Sequence, residues 1–371
     1  MKFVINRNDI RSILGKVQGI TTRRTNLAIT ETVLIEARED TVKVTATDLE
    51  TGFEGEYPAA VESQGIIAIN AKKLYEIVRD FPSESIDIAE VENRWIEIGT
   101  GNIEYHIVGM NPEDFPEIPR AGDGPLFEMD SGSLKRMIEK TIIISAMPDD
   151  NRAHINGIFL ENTVEDDSRM LKMVSTDGSR LSTVDYPYDT GECPIEKGIL
   201  IPKKGLGDVL KFLGPEKTLH IGLNGSHFVI KKENELFTIR LLEGEYPKYG
   251  NIIVRGIGHD IPVDRQIFLM VLKRMSILCS ENYKGVIFNF ESNLLTVRAT
   301  NPEIGESKEE MPIAFDGEPI EMAFNPKFFI DTLNVIEDDR AIVNIVSAEK
   351  PCLVEGETDK SYLSVIMPMK I

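Results

Sequence analysis

Five histidines and three cysteines are the residues best suited to chemistry in this chain, and their spacing argues against it. His106, His154, His220, His227 and His259 each stand alone in strand-like or turn contexts. None belongs to the His-Glu-x-x-His pattern that sets two imidazoles on one helix face around zinc. Cys193, Cys279 and Cys352 are each more than 70 residues apart, so no two form a metal knuckle; as unpaired thiols they fit a reducing compartment. Asp149-Asp150 and Asp338-Asp339 lack the alternating ligand positions of a calcium loop and read as solvated turns. The run Thr176-Asp177-Gly178-Ser179-Arg180 sets a serine beside an arginine, but no histidine is identifiable to take the hydroxyl proton. With no phosphate-cradling glycine loop and no Gly-x-Ser-x-Gly elbow, the chain is expected to bind rather than catalyse, without cofactor or metal.

The elements that would present a binding surface repeat. Apolar residues at helical spacing begin at Ile10, Leu74, Leu134, Leu206, Phe268 and Phe329, at intervals of 64, 60, 72, 62 and 61 residues. Asn8, Asn70, Ser131 or Ser133, Asp264 and Asn325 are N-cap candidates, and Pro202 and Pro326 suit a first helical turn. Between them TVKVTAT, WIEIGTG, FVIKKE, FTIRLLEG and VIFNFES carry the strand signature, with LNGS and ESNL as turns. The turns around Asp48, Asp177 and Asn301 recur at 129 and 124 residues, and DFPEIP and EYPKYG recur at 131. The expected fold is α+β, with three similar domains at about 1–125, 126–254 and 255–371, each a doubled unit of one helix and several antiparallel strands.

Charge separates along the same lines. The 371 residues carry 41 basic and 61 acidic side chains, a net −20 that opposes adventitious binding of phosphate backbones. Yet the six helical windows hold fifteen basic residues and seven acidic ones, leaving −28 for the remainder. Glutamate is as good a helix former as lysine, so its scarcity there points to a positive face for a polyanion. No zinc-finger spacing or aromatic RNA-binding signature accompanies it, so DNA would be held by its backbone without sequence preference. No stretch approaches the roughly 18 apolar residues of a membrane span, and the polar start lacks a signal peptide's apolar core, so a cytoplasmic protein is expected.

The turn Ser175–Leu181, the terminal Val365-Ile366-Met367-Pro368-Met369-Lys370-Ile371, the MKF start, ATDLE, DFP, the YP turn and the ATNPE segment occur in one order and spacing. Together they resemble the bacterial DNA polymerase III beta subunit, the sliding clamp family, over the whole chain. The resemblance implies a head-to-tail homodimer ring around double-stranded DNA, with the helices lining the hole. It implies DNA contacts from Arg24, with Arg23 beside it, and from Lys72, Lys73, Lys135, Arg136, Lys203, Lys204, Lys273 and Arg274. It implies a pocket for short apolar motifs of the polymerase III alpha subunit, the clamp loader, other polymerases and repair proteins. The matching positions are Ile155, Thr176, Gly178, Ser179, Arg180, Leu181, Pro247, Val365, Met367, Pro368 and Met369, with Arg180 expected as a polar anchor at the rim. Ser179 and Asn251 differ from some relatives, which bears on peptide preference. Tyr105, Ile277 and Leu278 match positions of the subunit contact.

Overall fold

The computed structural model describes residues 1–22, 25–118, 124–144, 152–165, 167–189, 191–214, 217–253, 255–280 and 284–370. All six expected stripes are helices: α1 Arg7–Thr21, α2 Ala71–Arg79, α3 Ser131–Ile142, α5 Lys203–Phe212, α6 Arg265–Met275 and α7 Pro326–Val335. A single turn, α4 Ala153–Asn156, was not foreseen. The stripe leaders Ile10, Leu74, Leu134, Leu206, Phe268 and Phe329 are fully buried.

Asn70, Asp264 and Asn325 cap their helices as expected, accepting the N–H of Lys73, Ile267 and Lys327 at 3.0, 2.8 and 3.0 Å. Asn8 does not: it lies inside α1, and its N–H is donated to Asn6 at 2.8 Å. Neither Ser131 nor Ser133 caps α3; Asp130 does, accepting the N–H of Ser133 at 2.6 Å. Pro202 ends the strand Ile199–Pro202 rather than opening the first helical turn. One cause covers all three corrections. Each strand runs directly into its helix, so the cap falls on the last strand residue.

The chain forms two compact units. The first comprises Met1–Lys135, Thr190–Glu196 and Ile201–Leu242. It holds a five-stranded antiparallel sheet, ordered Ala60–Ser63, Lys2–Asn6, Ser85–Glu90, Trp95–Thr100, Ile103–Val108. Its eight-stranded sheet joins sequence-distant halves through Thr51–Pro58 and Glu235–Arg240, where Phe53 pairs with Phe237. A Cβ at Gly19 of α1 would lie 1.8 Å from Asp208 Oδ1 of α5, so a larger residue there would have to displace the buried Asp208 carboxylate. The buried Glu235 carboxylate receives Lys16 of α1, Lys232 at 3.1 Å and the Tyr57 hydroxyl, satisfying a charge that burial alone would destabilise.

The second unit comprises Arg136–Asp189, Lys197–Leu200 and Glu243–Ile371. Its eight-stranded sheet runs from Ile199–Pro202 through Gly157–Glu165, Ser168–Thr176, Arg180–Tyr188, Tyr362–Ile366, Cys352–Gly356 and Arg340–Ile345 to His259–Asp264. A four-stranded sheet contains Gly305–Pro312, Leu294–Asn301, Val286–Glu291 and Ile320–Phe324. Phe288 packs its ring 5.9, 5.3 and 5.2 Å from those of Phe268, Phe324 and Phe329. Phe288→Ala should therefore cost about 3–5 kcal/mol, read as a lowered urea midpoint for unfolding of the second unit.

Candidate peptide-binding site

The central strand pair of the second unit sets the site. Pairing of Leu181 with Val365 and of Thr183 with Leu363 puts these four on one sheet face. Ser182 and Ser364 point the other way, where Ser182 Oγ donates to Lys140 O of α3 at 2.6 Å and Ser364 bonds Thr332 of α7 at 2.9 Å. One face is thus committed to helices, and the other packs against the segment that carries Tyr246 and Tyr249. On the face opposite the helices Val174, Leu181, Leu353, Leu363 and Val365 form one buried apolar cluster, with Phe159, Tyr246, Tyr249 and Ile253 packed against it; the exposed residues at its end are Gly178, Ser179, Pro247 and Met367.

The turn at the end of this pair is built by local hydrogen bonds. Asp177 Oδ1 accepts the N–H groups of Ser179 and Arg180, both at 3.0 Å, and Thr176 Oγ1 donates to Arg180 O at 2.7 Å. Gly178 has φ +87°, and nothing lies within 4 Å of where a Cβ would stand, so the backbone there is open to close approach. The Met367 N–H is donated to Ser179 O at 3.0 Å, drawing the C-terminal segment to the turn, and the Met367 side chain is 37% exposed. Met369 diverges, its N–H donated to Ala323 O at 2.7 Å. Pro247 is exposed, Pro368 half-buried, and Ile155 fully buried.

Arg180 departs from expectation. It is only 6% exposed, and its guanidinium is committed to Asp177 at 3.0 Å, Asp331 of α7 at 2.8 Å and Ile143 O at 3.3 Å, while lying 4.4 Å from the Phe328 ring centre. It braces the turn from behind rather than anchoring a ligand at the rim. Phe159, Tyr246, Tyr249, Leu353 and Leu363 were missed. Leu363 was legible, two residues before Val365 in a strand; Phe159 and Leu353 required the strand register. Burial, with the nearby Glu161 charge, pushes the Tyr246 phenol well above its ordinary range.

With the observed helix bounds, the six longer helices carry sixteen basic and five acidic residues, a stronger segregation than the sequence windows gave. Lys72, Lys73, Lys135, Arg136, Lys204, Lys273 and Arg274 are exposed, although Lys73 pairs with Glu76 at 3.0 Å and Arg274 with Glu309. Lys203 is 6% exposed and cannot lie open on a surface; its position immediately after the strand turns it inward. Arg23 and Arg24 lie outside the described residues. Tyr105 (45% exposed) occupies an edge strand of the five-stranded sheet, and Ile277 (74%) and the half-buried Leu278 form a 3₁₀ turn after α6. Burial raises all three cysteine thiols, a setting opposite to that of a reactive nucleophile. Among the described residues, Glu97, Glu104 and His106 bring three metal-capable atoms within 4.8 Å on a hairpin, two of them exposed.

Repeated α+β elements, basic helices and a buried apolar cluster that ends at an exposed glycine turn and methionine define the class of DNA clamps. Family models match residues 1–119, 128–248 and 253–370, described as the N-terminal, central and C-terminal domains of the DNA polymerase III beta subunit. The beta sliding clamp of Vibrio cholerae is 29% identical, and that of Chlamydia pneumoniae 27%, each covering all of this chain and 100% or 99% of the relative. Among solved structures, the Bartonella birtlesii sliding clamp bound to griselimycin (TM-score 0.93, 27% identity) and a Eubacterium rectale beta subunit (0.89, 28%) each match over 100% of both chains. The chain belongs to the DNA polymerase III beta subunit family, and its function is that of a sliding clamp, a processivity factor in DNA replication.

Lys140, on the helix side of the site, is buried and donates to Asp359 at 2.7 Å. Partial burial opposes ionisation of Asp359, but hydrogen bonds from Lys140 and from the Ser361 side chain and backbone outweigh it, lowering its pKa to about 2. A depressed carboxylate stabilises the fold above its unfolded pKa and loses that contribution as pH falls through the folded value. Asp359→Asn should therefore flatten the fall of melting temperature between about pH 4 and pH 2, as followed by circular dichroism.

Proposed function

We propose that two copies of this chain associate head to tail in a closed ring around double-stranded DNA and tether replication proteins through the surface around Gly178 and Met367. The observation that carries the DNA-facing half is the confinement of net positive charge to the helices of a strongly acidic chain. Exposed Lys72, Lys73, Lys135, Arg136, Lys204, Lys273 and Arg274 would meet phosphates without reading bases. Because enclosure retains the DNA topologically, these contacts can stay weak and sliding costs little. The chain works as a non-catalytic subunit in the cytoplasm, with domains at about 1–125, 126–254 and 255–371.

Exposed Met367 and Pro247, beside Gly178 and over the buried Leu181 and Val365, would receive the apolar side chains of short motifs in the polymerase III alpha subunit, the clamp loader, and other polymerases and repair proteins. Methionine's flexible thioether suits a site that serves many sequences. A weak pocket suffices, since a ring threaded on DNA makes each rebinding event intramolecular. The subunit contact would use Tyr105 on one edge strand and Ile277 and Leu278 of the partner, leaving neither sheet edge bare.

Light scattering over a dilution series tests assembly: wild type should hold near twice the chain mass, and the pair Ile277→Ala, Leu278→Ala should fall toward one. A dilution-stable monomer of wild type would refute the two-chain ring. Loaded on nicked circular DNA, the protein should remain bound until linearisation and then run off; retention unaffected by linearisation counts against encirclement. Met367→Ala should weaken an apolar peptide about tenfold or more while the dimer persists; unchanged fluorescence anisotropy titrations would remove Met367 from the site.

A further inference from the structure

The turn at the candidate peptide site has a counterpart in the first unit, hydrogen bond for hydrogen bond. Thr47 Oγ1 donates to Thr51 O at 2.8 Å and accepts the Leu49 N–H at 3.0 Å. Asp48 Oδ1 accepts the N–H groups of Glu50 and Thr51 at 3.1 and 2.7 Å. In the second unit Thr176 and Asp177 make the same four bonds at 2.7, 3.1, 3.0 and 3.0 Å. The Arg240 N–H is donated to Glu50 O at 2.8 Å, as the Met367 N–H is to Ser179 O. Strand register agrees as well: Gly52 pairs with Thr238 and Glu54 with Leu236, as Leu181 pairs with Val365 and Thr183 with Leu363.

Three differences fall where a peptide would lie. Leu49 stands in the place of Gly178; it holds φ +78°, a left-handed backbone that glycine adopts without strain, and its side chain is 47% exposed. Beneath the turn, Thr45, Gly52 and Thr238 occupy the register positions of Val174, Leu181 and Val365. Ile118 of the chain's own segment fills the space above Gly52, its Cγ2 2.5 Å from where a Cβ there would stand. Arg240 takes the place of Met367 and lies 3.7 Å from Glu50, so an apolar chain laid across it would strip water from a charged pair.

We propose that the first unit holds a second copy of the peptide site which the chain itself keeps shut. Leu49 occupies the position that Gly178 leaves open, Ile118 fills the space above Gly52, and the Arg240 and Glu50 pair replaces the exposed methionine. The reading rests on the peptide site of the preceding section. Each chain then takes one apolar motif rather than two, and the choice between the copies is set by these few side chains on a backbone common to both.

The test counts peptides per chain by calorimetric titration with a six-residue peptide rich in leucine and phenylalanine. Wild type should bind one. The triple variant Leu49→Gly, Ile118→Ala, Arg240→Met should bind two, the second about tenfold more weakly because threonines stand where valines line the other floor. Adding Met367→Ala should weaken the tighter event and spare the new one, which places the second peptide in the first unit. If the triple variant fails to fold, as read by its melting temperature, Leu49→Gly with Arg240→Met decides; both positions are exposed, and this variant should also admit a second peptide. Two peptides on wild type, or only one on a folded variant, overturns the proposal while the site in the second unit stands. Wild type that binds no peptide removes the peptide-site reading, and this inference with it.

Discussion

Two strand pairings between distant segments are the constraint on which the rest of the molecule depends. In the first unit Thr51–Pro58 pairs with Glu235–Arg240, and in the second Arg180–Tyr188 pairs with Tyr362–Ile366. Each converts what would be two sheet edges into the interior of an eight-stranded sheet. The alternation of strand side chains then fixes which residues meet helices and which form the apolar cluster on the other face. Ser182 and Ser364 are drawn to α3 and α7, so Leu181, Val365 and Leu363 must form the opposite face. A one-residue slip of either strand would turn its serine toward the apolar cluster and its apolar residues toward the helices, destroying the site while leaving every strand intact.

The charge pattern follows from the same layering. Helices that cover one face of each sheet leave their outer stripe in solvent, and there the sequence concentrates lysine and arginine. The buried members show where that logic stops. Lys140, Arg180 and Lys203 count as basic residues in a composition but are enclosed, with Lys140 held by Asp359 and Arg180 by Asp177 and Asp331. Their positive charge braces the fold and is not available to a polyanion.

Much of the architecture was legible in the chain because helical stripes and strand alternation repeat at nearly constant intervals. Ile10, Leu74, Leu134, Leu206, Phe268 and Phe329 each marked a real helix. Caps were misread at Asn8 and Ser131 because the sequence does not show that a strand leads into its helix without a connecting turn. At the candidate site, the turn residues could be named by resemblance, and Gly178 by its chemistry. The apolar floor from Phe159 and Leu353 could not, since it requires knowing that segments nearly 200 residues apart share a sheet. Arg180 was placed at the rim because nothing in a linear reading reveals Asp331, which lies 151 residues away.

The distance between the paired strands also bears on how the molecule is made. Ser182 and Ser364 are neighbours in the sheet but some 180 residues apart in the chain. At ribosomal speeds of about 5–20 residues per second, the edge of Arg180–Tyr188 waits roughly 10–40 s for its partner strand to emerge. During that interval the growing chain displays a strand edge with unpaired backbone groups, a template for pairing with other nascent copies.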